Sequence, residues 1–167
     1  LERGKRVPVA ITECGVRLSN EDAADPTKHF MQRTLATQRM LMLYLDRPAT
    51  VLTVQQHDLH ANAGGAYTFI KSPDPEDQFP TYHMYRLWRH FRGRRLAAQV
   101  EAGPVKVMAA LNNGTAVCMV FNDQDAQRDI AVTLAGVPEA VQATARWECI
   151  YLDKGANTIV RAAGNSN

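Results

Sequence analysis

Val7-Pro8-Val9-Ala10-Ile11-Thr12-Glu13-Cys14-Gly15 is the stretch on which the fold turns. Five of its first six residues are apolar and three of them are valine or isoleucine, after which the run stops at a carboxylate with glycine two residues on. A short unbroken apolar run of this kind reads as a strand covered on both faces, as in a parallel sheet with helices outside it. Pro8 falls near its start, where a missing N–H is tolerated. At the C-terminal tip of such a strand an acid is costly beside a core unless it has work there, and in (β/α)8 barrels that tip is where catalytic groups stand. Glu13 is therefore the first candidate catalytic residue. The strand pattern alone also allows Glu13 simply to begin a polar loop.

Working outward, Val16 to Ala24 is polar and loop-like, and Asp25-Pro26-Thr27 gives an N-cap followed by proline at the first helical position. The spacing predicts a helix from Pro26 to about Asp46, with Phe30, Met31, Leu35, Leu41, Met42 and Leu45 on its buried side and Arg47-Pro48 ending it. Thr50 to Val54 is β-branched and apolar, a second buried strand, and its tip is again polar: Gln55, Gln56, His57, Asp58. Strand, helix and strand with short connections make a βαβ unit with a parallel strand pair. Residues 61–80 are loop-like, with an apolar patch from Tyr67 to Ile70. Thr81 is expected to cap a second helix with Met84, Leu87, Trp88 and Phe91 at helical spacing, and Gly93 to stop it.

Past Gly93 the period changes to two. Val105, Val107, Ala109 and Leu111 alternate, Asn112-Asn113-Gly114 reads as a hairpin turn, and Ala116 to Phe121 as the returning strand. Ile130, Val132 and Leu134 suggest another strand, Ala143, Ala145 and Trp147 a further one reaching Tyr151, and Ala162 to Asn167 a frayed end. The expected architecture is α/β followed by all-β, with residues 1–93 a parallel βαβα segment and 94–167 an antiparallel β-sandwich module.

The chain has 167 residues, 46% hydrophobic and 22% charged, with a formal net charge of +2. Such a weak positive balance does not by itself call for a nucleic-acid or membrane partner. No apolar run approaches the ~20 residues of a spanning helix, and no signal-peptide pattern is present. A start at Leu1-Glu2-Arg3-Gly4, without methionine and close to a buried strand, reads as a piece of something longer. A complete barrel needs about 250 residues, and two βα units are visible here.

Three cysteines, Cys14, Cys118 and Cys149, offer no Cys-x-x-Cys pair, which leaves a zinc ribbon or thioredoxin-like site unsupported. Cys118 and Cys149 lie in apolar strand-like runs as core thiols or as partners of each other; the sequence allows both. His57-Asp58-Leu59-His60 has metal-ligating types, but His-x-x-His on an extended segment sends its rings to opposite faces and no third ligand is evident. No cofactor is expected. Arg86, Arg89, Arg92, Arg94 and Arg95 interleave with Tyr85, Trp88 and Phe91. The aromatics share the helix's apolar stripe, so the arginines read as a solvated face rather than a nucleic-acid surface.

Several of these segments together resemble the C-terminal part of a clan-A retaining glycoside hydrolase, a TIM barrel followed by a β-sandwich. Ile11-Thr12-Glu13-Cys14-Gly15 looks like the end of that barrel's strand seven. Residues 33–42 and 82–93 resemble the last two barrel helices of the β-agarase and β-porphyranase family, and Val120-Phe121-Asn122 fits its sandwich hairpin. The resemblance covers nearly the whole chain as the tail of a larger, secreted or periplasmic enzyme. It implies that the two βα units are the last of a (β/α)8 barrel, and that Glu13 is the nucleophile acting on an agar- or porphyran-like polysaccharide. Gln56, His57, Asp58 and Tyr67 would bind the sugar, with the upstream barrel as partner.

Two departures stand out. The family's acid/base follows an asparagine at an earlier strand tip, whereas the only Asn-Glu dipeptide here, Asn20-Glu21, lies in the loop after Glu13. An aromatic residue often ends strand eight in relatives, and here that tip is Gln55 to Asp58. A non-catalytic remnant or carbohydrate-binding piece is the alternative reading.

Overall fold

A computed structural model describes residues 9–14, 26–46, 51–56, 70, 73–101, 103–122, 124, 126, 128–133, 135, 136, 145–153, 156 and 158–166. Strand β1 (Val9–Cys14), helix α1 (Pro26–Leu45) and strand β2 (Val51–Gln56) follow one another, and β1 pairs with β2 in parallel. Helix α1 starts on the proline, whose fixed φ suits the first helical position. It ends where the Asp46 N–H closes on the carbonyl of Met42 at 3.0 Å, just ahead of Arg47-Pro48, which cannot continue a helix. Helix α2 (Pro80–Trp88) packs on α1.

The α1–α2 contact is not the apolar stripe that the sequence suggests. Met31, Leu41, Met42 and Met84 are buried, but so are Arg33, Thr34, Thr37, Gln38, Thr81 and His83. Thr34 and Thr81 join their hydroxyls across the helices at 2.9 Å, and Trp88 Nε1 donates to Gln38 Oε1. Leu35 is only half-buried, and Leu45, expected inside, is 37% exposed, because the helix turns its hydrogen-bonding positions inward and carries these leucines round toward solvent.

Two end signals also differ from expectation. Thr81 does not cap α2. Phe79 holds the N-cap position in extended conformation, with no side-chain hydrogen bond, and Pro80 is the first helical residue. Proline already fills the site where an N–H would be orphaned, which frees Thr81 to turn inward onto Thr34. Gly93 does not stop the helix either, since α2 ends at Trp88 with Arg89 as C-cap. Gly93 instead makes the corner into the next strand at φ +91°, where a Cβ would run into the Leu111 carbonyl oxygen and lie 2.9 Å from Asn112 Cβ.

The antiparallel sheet has the order β3 (Arg94–Leu96), β4 (Lys106–Asn112), β5 (Thr115–Phe121). Asn113 and Gly114 form the two-residue turn, both with positive φ (48° and 80°), which matches the right-handed twist of the flanking strands. Met108 and Ala110 on the central strand are 1% exposed and Phe121 on β5 is 5% exposed. Strands β6 (Ala145–Asp153) and β7 (Thr158–Ser166) form a separate two-stranded sheet. There the Trp147 indole lies on Gly164, where a Cβ would sit 2.7 Å from its Cζ2.

The strand expected around Ile130 and Val132 is absent. Residues 128–133 are irregular, and these two side chains are 47% and 56% exposed. Alternation makes a strand only where a neighbour covers its apolar face, and here solvent reaches both. Conversely, the end expected to fray is β7, ordered as a strand to Ser166. Two compact units result: Leu1–Arg89 with Tyr151–Val160, and His90–Ile150 with Arg161–Asn167.

Candidate functional site at the parallel strand tips

A right-handed crossover through a helix brings two strands side by side pointing the same way, so their C-terminal ends finish together. In β1 and β2 these ends are Thr12-Glu13-Cys14 and Gln55-Gln56. The pairing runs Val9 to Val51, Ala10 to Thr53, Ile11 to Val54 and Cys14 to Gln56. Between the last two pairs β1 advances three residues and β2 two, so Thr12 and Glu13 together stand against Gln55. The ladder is therefore irregular twice, in opposite senses: between Val9 and Ala10, where β2 advances two residues against one, and between Ile11 and Cys14. An extra residue bends the strand that carries it, and bulges gather at sheet edges and beside active sites.

Of the residues singled out in the sequence, Glu13 occupies the penultimate position of β1, and Gln56 is the last residue of β2, in register with Cys14. His57, Asp58 and Tyr67 lie outside the described residues, as do Glu21 and His60. The backbone thus brings one carboxylate, one thiol and two primary amides to a single sheet end. The irregular register of β1 on β2 has no sequence signal, because it is set by strand pairing and not by residue type.

Elsewhere, Cys118 and Cys149 are both free thiols, and burial pushes the Cys118 thiol above its ordinary pKa. Among the described residues no group of three or more His, Cys, Asp or Glu side chains is placed to hold a metal ion, and no helix is long and apolar enough to cross a membrane. The arginines at 89, 92, 94 and 95 are exposed. Arg86 pairs with Glu76 at 3.4 Å, and the Arg95 guanidinium lies 5.5 Å from the Phe91 ring centroid.

The buried Arg33 was not anticipated. It is 2% exposed, with its guanidinium 5.1 Å and 5.6 Å from the ring centroids of Phe30 and Phe79, themselves 4.4 Å apart. Desolvation lowers its pKa to about 10. The residue ties the first turns of α1 to the segment that leads into α2. A signal was present in that Arg33, Thr34, Thr37, Gln38 and Leu41 fall at the three- and four-residue spacing of one helix face.

Comparison with known proteins gives no match to a family model, to a curated protein or to a solved structure.

Proposed function

We propose that the chain is the nucleophile-bearing part of a retaining glycoside hydrolase that cuts a β-linked polysaccharide of the agar or porphyran type. In this reading β1, α1, β2 and α2 are the last two βα units of a (β/α)8 barrel, and the strands beyond residue 93 belong to a β-sandwich. The observation that carries the reading is the position of Glu13, at the C-terminal end of a parallel strand whose tip lies next to another parallel tip rich in amides. Exposure on the same unit agrees with it. Val9 on β1 is 46% exposed and Leu43 on α1 is 53% exposed, apolar groups that neighbouring barrel units would cover.

The chemistry follows from a carboxylate so placed. An ionised Glu13 attacks the anomeric carbon as the glycosidic C–O bond breaks. The leaving oxygen takes its proton from a second carboxylic acid, which the upstream barrel supplies. Water, deprotonated by that same group, then cleaves the glycosyl ester and frees Glu13. Gln56, His57, Asp58 and Tyr67 bind the sugar hydroxyls and ring, and no cofactor takes part.

The test is Glu13→Gln in the protein at its full natural length, with soluble agarose and porphyran oligosaccharides as substrates. The expected result is loss of hydrolysis with an unchanged circular dichroism spectrum. In the parent enzyme, a slow fluorinated substrate should leave a glycosyl adduct on the peptide carrying Glu13. Turnover that survives the substitution, or an adduct on another peptide, overturns the proposal.

A further inference from the structure

The indole of Trp147 is laid on a strand by one face and open on the other. Successive residues of a strand alternate between its two faces, so Trp147 shares a face of β6 with Ala145 and Cys149. On the neighbouring strand β7, a Cβ at Gly164 would lie 2.7 Å from Cζ2, 2.8 Å from Cε2 and 2.9 Å from Nε1 of that indole. No point in the plane of the ring is so far from all three bonded atoms at once, so the ring lies across the glycine. Glycine leaves the room this needs, since any side chain there would push the indole away. Two positions along the strands, on the same side, stand Ala145, Cys149 and Ala162, all small. Covering the glycine takes one face of the ring, and Trp147 keeps 45% of its surface exposed.

We infer that Trp147 is a stacking platform for a neutral pyranose unit of the polysaccharide; the choice of glycan rests on the hydrolase reading above. A sugar suits this surface. One side of a galactose-type ring is a patch of C–H bonds, which meets the negative face of a π system, while its hydroxyls stay in water. The rest of the surroundings is polar. Arg146, ion-paired with Glu148 at 2.8 Å, has a side chain 70% exposed, and Arg161 and Asn165 are exposed. A docked protein needs about 800 Å² on each side, whereas one aromatic side chain buries at most about 250 Å². A single open ring among polar groups therefore matches a ligand with one apolar face, not a protein or a lipid surface. Because Gly164 already holds the ring, stacking a sugar on it orders little that was loose before.

The experiment uses the Glu13→Gln protein at full natural length, so that the sugar stays intact, titrated with a neutral agarose oligosaccharide. Binding is followed by calorimetry and by the part of the tryptophan fluorescence that Trp147→Phe removes. The expected result is a shift of that signal and its protection from acrylamide as sugar is added. Trp147→Ala should weaken binding roughly tenfold, the scale of one lost aromatic stack, and Trp147→Phe less. Gly164→Ala keeps the indole but displaces it, serves if the alanine variant at 147 folds poorly, and should weaken binding as well. If the variants bind as tightly as their parent, or the Trp147 signal ignores the sugar, the inference is overturned while the role of Glu13 stands. An indole already shielded from acrylamide before sugar is added is covered by protein, which also overturns it. If a gluco-oligosaccharide shifts the signal and the agarose one does not, the platform stands and the agar or porphyran reading has failed.

Discussion

Removing the Thr34 hydroxyl and removing the Thr81 hydroxyl should have different consequences, although the two share one hydrogen bond. Thr34 Oγ1 donates to the Phe30 carbonyl at 2.9 Å, and it has a single hydrogen to give. In the 2.9 Å contact between the helices, Thr81 is therefore the donor and Thr34 the acceptor. In Thr81→Val the Thr34 hydroxyl keeps its bond to Phe30, so the cost is that of one neutral hydrogen bond, about 1 kcal/mol. In Thr34→Val the Thr81 hydroxyl, on a residue 2% exposed, is left without an acceptor, and a stranded buried donor costs about 2 kcal/mol. With both changed, neither hydroxyl remains to be satisfied, and valine fills nearly the same space. The double variant should lose about 1 kcal/mol, well below the sum of the singles, which makes the coupling about 2 kcal/mol. The assay is urea unfolding followed by the helical circular dichroism signal. Against a slope of ~2 kcal/mol/M, Thr34→Val should lower the midpoint by roughly 1 M. Equal costs for the two single variants, adding up in the double, would refute the donor assignment and the sealed interface it rests on.

Gly93→Ala and Gly114→Ala put the same methyl at two positive-φ positions, and only Gly93 meets the backbone of Leu111. Thermal unfolding should show about 1 kcal/mol lost at Gly114, where nothing lies within 4 Å, and clearly more at Gly93. Arg33→Met keeps much of the volume between Phe30 and Phe79 without a buried charge and should be neutral or stabilising, by up to about 2 kcal/mol, in the same urea assay. Arg33→Lys, which loses the planar stack, should destabilise by about 1 kcal/mol. Cys118, whose folded pKa lies above its unfolded one, favours the neutral thiol. Its contribution to stability is present below the unfolded thiol pKa and disappears as pH rises through the folded value. Peptide mapping after brief alkylation at neutral pH should find it modified more slowly than an unfolded cysteine.

The parts of the fold legible in the sequence are those written in neighbouring residues. Pro26 marks the start of α1 to the residue, and Asn113-Gly114 marks the hairpin, because proline's φ and the positive φ of a tight turn are local requirements. The parts that were not legible depend on residues far apart in the chain. Arg94-Arg95-Leu96 has no strand character, yet it pairs with Ala109 to Leu111 at the sheet edge, where charged residues are common. Ala162 to Ser166 is small and polar and joins a sheet whose other strand is β6. Ile130 and Val132 alternate like a strand without a partner to make them one. At the candidate site, Glu13 could be set at a strand tip from the sequence, whereas the irregular register between Ile11 and Cys14 is announced by no residue type.

The polar seam between α1 and α2 also bears on how this chain can change over generations. An interface of leucines tolerates a slide of one helical turn, since leucine meets leucine again. Thr34 against Thr81 and Gln38 against Trp88 allow no such slide, because any other alignment strands buried donors and acceptors. Drift at these four positions is therefore expected to proceed by compensated pairs. Relatives that keep the helix pair should carry either both members of a polar contact or neither.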